Sequence, residues 1–286
     1  MLIIGARGFL GTYLARTAAD SYEVIRGNRV APVERGHVAI DITDRQSVRT
    51  AFERTKPDVA VLLAALSDVD VCENDRERAL ATNLHGAEHV ARAAAQTRAQ
   101  FLYTSSAAVF DGRKHGYTED DLPTPVSFYG ETKARAEAVV RALMPSAIIL
   151  RFGLVIGFAG KAGTNAMLDN LVQRWSTGNP TSLPDFEFRN PIDAATLSKF
   201  MLELIGKEDA SGIFHIGATE SISRFELGIM LATRSGHSAS LVRRQHKPNP
   251  GRALRGADHF LLTDKIRAIC KNGIPTCSQV IERCFQ

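Results

Sequence analysis

The 286-residue chain has four cysteines, a small excess of charge of one sign, and no apolar run long enough to cross a bilayer. Cys72, Cys270, Cys277 and Cys284 form no CxxC pair and are too sparse for a secreted disulfide scaffold, so free thiols in a reducing compartment are expected. Histidine, cysteine and acidic residues never cluster at ligand spacing, which predicts no metal. The opening MLIIGARGFLG is broken by glycine too soon for a signal or membrane segment, and a cytoplasmic protein with no membrane partner is the expectation. A net charge of +4 and the absence of any nucleic-acid motif argue against RNA or DNA as partner, while suiting a small anionic substrate such as a nucleotide. No internal repeat or low-complexity tract is present.

Apolar strands alternate with helical patterns. Leu2 to Ile4 runs into Gly5, Gly8 and Gly11 and then into a helix through Leu10, Leu14 and Ala18. YEVI, DVAVLLAA, AQFLYTSS and AIILRFG read as further strands, with helices between them, one carrying Leu80, Leu84, Ala87 and Ala91 and another spanning about 130–143. This rhythm predicts an α/β fold, a Rossmann-type doubly wound parallel sheet with a smaller C-terminal lobe for substrate. The expected division is 1–153 for the dinucleotide-binding domain and 154–286 for the lobe, with segments around 188–216 returning to the sheet. Past Gly153 come loops with Gly157, Gly160 and Gly163, a proline-marked stretch, and the late strand GIFHIG, whose His215 reads as a hydrogen-bonded core residue. Trp175 is assigned to the core of the second lobe. From Leu227 to Ala257 no acidic residue occurs, while Arg243, Arg244, Lys247, Arg252 and Arg255 do. That stretch reads either as one wall of a diphosphate pocket or as a solvated basic loop.

In GARGFLG the glycines allow a tight turn and close approach of backbone to a pyrophosphate at a helix N-terminus. Gly5, Arg7, Gly8, Phe9, Leu10 and Gly11 are therefore candidate cofactor contacts. An acidic residue at the end of the second strand would favour NAD. Here Arg26, Asn28 and Arg29 follow instead, and with Arg7 they favour the 2′-phosphate of NADP, the alternative being solvated arginines. Asp41, with Ile42 beside it, is placed to reach the adenine; Thr43 or Asp44 better suits the cap of the next helix.

In YGETK, Tyr129 and Lys133 are four apart and share a helix face. An ammonium near a phenol stabilises the phenolate and lowers its pKa, so Tyr129 could exchange a proton near neutrality. Ser106, ending the strand FLYTSS, could hold a carbonyl oxygen.

GARGFLG, TSSAAVFDG and YGETK together resemble an extended short-chain dehydrogenase/reductase. The resemblance implies Ser106, Tyr129 and Lys133 as catalytic triad, with Tyr129 and Lys133 also touching the cofactor. It adds Asn83 of ATNLHGA as a further catalytic residue and Ala64 and Ala65 as cofactor lining. Within that superfamily, KPDVAVLLAALSDVDVCE, VFDG with YTEDDLPTPVSFYG, and ILRFGLVIG are similar to the dTDP-4-dehydrorhamnose reductase group. This implies NADPH-dependent reduction of a keto group on a nucleotide-linked sugar. Ser106-Ala107 stands where those reductases carry Thr-Asp, which is closer to the epimerases, and Ala107-Ala108 lacks the acidic pair of the dehydratases. VFDG, where epimerases have VYG, points back to a reductase. In FRNPIDAATLS only Arg189 and Asn190 keep the resemblance; Arg189 and Arg252 are the candidate substrate residues. A sugar-nucleotide epimerase and a non-catalytic NADP-binding subunit, similar to the regulatory subunit of methionine adenosyltransferase, are the alternatives. By analogy a homodimer is expected through the helices bearing YGETK and Asn83, with Ala87, Ala91, Ala94, Ala134 and Ala138 at the contact.

Overall fold

A computed structural model describes residues 1–32, 34–159 and 167–286; Gly160 and Gly163 lie outside the described residues. In chain order the first half contains β1 (Leu2–Ile4), α1 (Phe9–Ala18), β2 (Ile25–Asn28), β3 (His37–Ala39), α2 (Arg45–Thr55) and β4 (Val59–Leu62). It continues with α3 (Val69–Asn74), α4 (Arg76–Ala79), a π-helical turn (Leu80–His85), α5 (Gly86–Thr97), β5 (Gln100–Thr104), α6 (Phe128–Leu143) and β6 (Ile148–Phe152). The second half contains β7 (Val155–Ile156), α7 (Met167–Ser176), β8 (Thr181–Pro184), β9 (Phe188–Arg189), β10 (Ile192–Asp193), α8 (Ala194–Ile205) and β11 (Gly212–Ile216). It ends with β12 (Ile222–Ser223), α9 (Arg224–Arg234), β13 (Val242–Gln245), β14 (Asp258–His259), α10 (Asp264–Ile269) and α11 (Cys277–Cys284).

Seven strands form one parallel sheet in the order β11-β6-β5-β4-β1-β2-β3. Strands β1 and β4 at its centre are apolar throughout because both faces are covered. Leu2, Ile4, Ala60, Leu62, Phe101 and Ile149 point into a core shared with α2, α5 and α6. The alternate residues Ile3, Val61, Leu102, Ile148 and Leu150 point the other way, into a core closed by α1 and α8. A third cluster, built on Leu168, Trp175, Leu227, Leu231 and Val280, lies under α7, α9 and α11. His215 is fully buried on β11, with Nδ1 near the Tyr117 carbonyl at 3.2 Å. No helix among the described residues is long and apolar enough to cross a membrane.

Two sequence expectations change here. The helix predicted through Leu80, Leu84, Ala87 and Ala91 widens to a π turn over Leu80–His85, where the Asn83 side chain leaves the helix face for the Leu66 backbone. The alanines offered for a dimer contact are partly inside: Ala87, Ala91 and Ala94 are buried in the core beneath α5, and only Ala134 and Ala138 keep exposure. On α5, small size serves packing against the sheet.

Candidate active site

The β1–α1 turn sits at the carboxyl ends of the strands, beside the point where strand order reverses between β1 and β4. Gly5 has φ +94°, and a Cβ there would lie 2.8 Å from the Ala64 amide nitrogen. A Cβ on Gly11 would meet the Gly5 carbonyl oxygen at 2.3 Å, so only glycine lets α1 start this close to β1. The N-cap of α1, Gly8, brings no side chain to the free N–H groups of Phe9, Leu10 and Gly11, whereas Asp44, Asp68, Ser127, Asp193 and Ser223 cap their own helices. Those open N–H groups and the positive helix end suit a phosphate.

Beside this turn a groove of about 330 Å³ is lined by Gly5, Asn28, Arg29, Asp41, Ile42, Ala64, Ala65 and Thr82. Asn28 accepts the Arg7 N–H at 2.8 Å through Oδ1, and its buried Nδ2 has no partner among the described residues. That unpaired donor, the uncapped helix and the glycine cradle fit a dinucleotide. Asp41 accepts from the Thr43 hydroxyl and N–H at 2.7 and 3.0 Å, which hold its carboxyl below the usual range. Asp44, not Asp41, caps α2.

Arg7 donates to the Val30 carbonyl at 3.3 Å. Arg26 is not brought to the groove. The second strand runs to Asn28 rather than ending at Ile25, so Arg26 is an interior residue of β2 paired with His37, and Asn28 and Arg29 occupy the strand end. Strand identity was legible in YEVI; its register was not.

Ser106 follows β5 and caps a single 3₁₀ turn over Ala107–Val109, its Oγ accepting from the Ala108 N–H at 3.1 Å. Tyr129 stands in the first turn of α6, capped by Ser127. The two elements meet where Gly130 passes the Ala108 carbonyl: a Cβ there would be 2.1 Å from that oxygen. A cleft of about 470 Å³ opens between them, lined by Ser106, Tyr129, Phe9, Phe152, Gly153 and residues of the second half of the chain. Burial pushes the Tyr129 phenol up to about 12, with the Ser106 hydroxyl pulling the other way. The phenol is thus protonated at neutral pH.

Lys133 lies behind the cleft. Its Nζ donates to the Thr104 carbonyl at 2.6 Å and sits 4.4 Å above the Tyr103 ring, instead of lowering the Tyr129 pKa as the sequence predicts. Burial brings Lys133 down to about 7, opposed by the negative charge of Glu137. Asn83 does not reach the cleft either. Its amide accepts from Leu66 N–H at 2.8 Å and donates to the Leu66 carbonyl and the Thr132 hydroxyl at 3.0 and 3.1 Å, so it ties α6 to the segment after β4.

Several participants escape the sequence reading. Glu137, one turn beyond Lys133, is buried and accepts from Ser105 and from Arg151 at 2.9 and 2.6 Å, forming an ion pair beneath the cleft. The i+4 spacing from Lys133 is the signal that could have found it. Arg224 joins the expected Arg189 and Arg252, and Arg255 of the basic stretch, on the cleft wall. Among the described residues no group of three or more His, Cys, Asp or Glu could hold a metal.

Over residues 1–286 the chain matches the model of the RmlD substrate binding domain. It is 28% identical over 239 residues to a dTDP-4-dehydrorhamnose reductase of Aggregatibacter actinomycetemcomitans, spanning 81% of this chain and 77% of that protein. It is 26% identical over 235 residues to the methionine adenosyltransferase 2 subunit beta of Xenopus laevis, spanning 81% of this chain and 70% of that one. The crystal structure of a dTDP-4-dehydrorhamnose reductase from Bacillus anthracis in complex with NADP superposes with a TM-score of 0.90 at 25% identity, covering 99% of this chain and 97% of that one.

Proposed function

We infer the function from one premise: this chain belongs to the RmlD substrate binding domain family. It is an NAD(P)-dependent oxidoreductase of the extended short-chain type that reduces a keto group on a nucleotide-linked sugar. The observation that carries this reading is the convergence of Ser106 and a protonated Tyr129 on one cleft, with Phe9 of the glycine turn on the same wall.

When bound, the nicotinamide cofactor supplies a hydride to the carbonyl carbon. Ser106 holds the carbonyl oxygen by its hydroxyl, and Tyr129 gives that oxygen its proton as negative charge develops on it. A phenol held well above neutrality is in the donor form before the reaction begins. Lys133, fixed on the Thr104 carbonyl beneath the cleft, holds the end of β5 against α6 and so keeps Ser106 and Tyr129 in register. Asn83 is a positioning residue that sets α6. Ala107 and Ala108 line the cleft and bring no acidic group after Ser106, so elimination of water lacks an acid–base pair there.

NADP is preferred over NAD. Arg29, exposed at the end of β2 and lining the adenosine groove, is the residue that supports this, and the neighbour from Bacillus anthracis holds NADP. We keep the expectation of a cytoplasmic enzyme acting on a small molecule; among the described residues no helix is long and apolar enough to cross a membrane.

The test is stoichiometry. With a keto-sugar nucleotide in excess, one NADPH should disappear per product formed. Sugar interconversion without net NADPH loss would make the protein an epimerase. Cofactor binding without any turnover would favour the regulatory reading that the methionine adenosyltransferase subunit allows, for which Tyr129 has no use.

A further inference from the structure

Asp70 stands in the first turn of α3 with its carboxylate free of the helix, because the cap is Asp68, which accepts from the Asp70 and Val71 N–H groups at 2.9 and 3.1 Å. The carboxylate reaches across to the second half of the chain instead. Oδ2 accepts from Arg252 Nε and from Arg255 Nη2, both at 2.9 Å, and Oδ1 accepts from the Ala253 N–H at 2.8 Å and from Arg255 Nη1 at 3.2 Å. The pair with Arg255 is two-pronged, the geometry that holds a guanidinium most firmly. Burial pushes the Asp70 carboxyl up, but the bonds from Arg255, Ala253 and Arg252 outweigh it and bring it down to about 2, so it is charged at neutral pH.

The segment held by these bonds has little else to keep it in place. Between β13 and β14 the chain runs from 246 to 257 without helix or strand, and from His246 to Arg255 no residue is buried. Its two ends are fixed: His246 Nδ1 meets Asp185 at 2.7 Å, and the Ala257 and Gly256 carbonyls accept from Arg189, each at 3.1 Å. Between them, from Pro248 to Arg255, every hydrogen bond and ion pair to another part of the chain goes to Asp70 among the described residues. A stretch without an apolar anchor opens readily once its polar ties are cut. The cleft is lined by Ser67, Asp68 and Val69 on one side and by Arg252, Arg255 and Gly256 on the other. Asp70 directly follows the first run and binds the second, so it joins the two walls.

Resting on the reductase reading, we propose that Asp70 is a positioning residue for the substrate: it draws the 246–257 segment against α3 and so sets the width of the cleft in which a keto-sugar nucleotide meets Ser106 and Tyr129. Asp70 acts through the segment it holds and touches no reacting atom. Ser106 and Tyr129 are carried by the end of β5 and by α6, which its carboxylate does not bond, and the adenosine groove includes neither Asp70 nor any residue of 246–257. Loss of the carboxylate therefore weakens substrate binding and leaves the chemical step and the cofactor site as they are.

The experiment compares the full chain with Asp70→Asn and Asp70→Glu by two readouts: amide hydrogen exchange over 247–257, and steady-state reduction of dTDP-4-dehydrorhamnose by NADPH. Asp70→Asn keeps the size of the side chain, removes its charge and turns an amide donor toward two arginines. Exchange over this segment should rise by roughly tenfold or more, and KM by a similar factor. A KM effect with kcat and NADPH affinity held within about twofold is the signature of lost substrate positioning. Asp70→Glu, which keeps the carboxylate, should fall between wild type and Asp70→Asn in both readouts. Asp185→Asn loosens His246 and Arg244 at the outer end of the segment and should keep the wild-type KM. The proposal is overturned if exchange in Asp70→Asn stays at the wild-type rate, if exchange rises while KM does not, if kcat or NADPH affinity falls as far as KM rises, or if Asp185→Asn raises KM as much. Turnover by wild type alongside any of these results leaves the reductase reading standing without Asp70. A wild type that binds NADPH and turns over no keto-sugar nucleotide removes that reading itself.

Discussion

Gly130→Ala puts the geometry of the catalytic cleft under direct test. The new methyl would lie 2.1 Å from the Ala108 carbonyl oxygen and 3.0 Å from both Ala108 C and Pro125 Cβ. Relief requires the start of α6 and the turn that Ser106 caps to separate by about 1 Å, since non-bonded atoms settle beyond about 3 Å. Tyr129 rides on one of these elements and Ser106 on the other. A displacement of that size in a reacting constellation costs about 10²-fold in rate. Overpacking destabilises by about 1–3 kcal/mol, while alanine gains about 1 kcal/mol over glycine inside a helix. Steady-state kinetics should therefore show kcat reduced by about 10²-fold, with a net destabilisation of about 0–2 kcal/mol and unchanged NADPH affinity. Gly11→Ala, whose methyl would meet the Gly5 carbonyl at 2.3 Å, should do the opposite and weaken NADPH first. Wild-type kcat in Gly130→Ala would refute the reasoning, because it would mean that the Ala108 contact does not set the spacing of Tyr129 and Ser106.

Lys133 predicts a pH signature. Its folded value near 7 lies below the roughly 10.4 of an unfolded lysine, so between those limits the unfolded chain binds more protons and stability rises with pH, by up to about 1.4 kcal/mol per unit. Urea midpoints from pH 7 to 9 should show this rise in wild type and lose it in Lys133→Met; parallel curves would contradict it. Asn83→Ala leaves the Leu66 N–H without its partner, while the Thr132 hydroxyl keeps its bond to the Tyr129 carbonyl, and should cost about 1–3 kcal/mol in equilibrium unfolding. An unchanged midpoint would deny its positioning role. Arg29→Ala should weaken NADPH in fluorescence titration and leave NADH alone; equal losses would mean that Arg29 does not read the 2′-phosphate.

The alternating sheet was legible because its central strands are apolar on both faces and its turns are marked by glycine, and Tyr129 and Ser106 were legible because the helix period and a strand end place them. What escaped depends on distances that no local pattern records. A three-residue shift in β2 decides whether Arg26 or Arg29 stands at the strand end. A shared helix face says that Tyr129 and Lys133 point the same way, but the lysine is long enough to pass under the tyrosine to the Thr104 carbonyl. Asn83 looks like an interior helix residue until the Leu66 backbone, 17 positions away, takes its amide. Small residues on α5 read equally well as a dimer seam or as packing against the sheet, and the buried areas decide for packing. Arg224 opens α9 just ahead of the Leu227–Ala257 stretch, cut off from it by Glu226, and only folding brings it to the cleft wall beside Arg252.

The central claim is that Tyr129 gives the proton that completes reduction. Tyr129→Phe removes one oxygen from the cleft and leaves its ring packed as before. Turnover with NADPH and a keto-sugar nucleotide should fall by about 10²–10⁴-fold, with NADPH affinity and folding stability close to wild type. Near-wild-type turnover in this variant would contradict the account, since no other group beside Ser106 in this cleft has been assigned that proton.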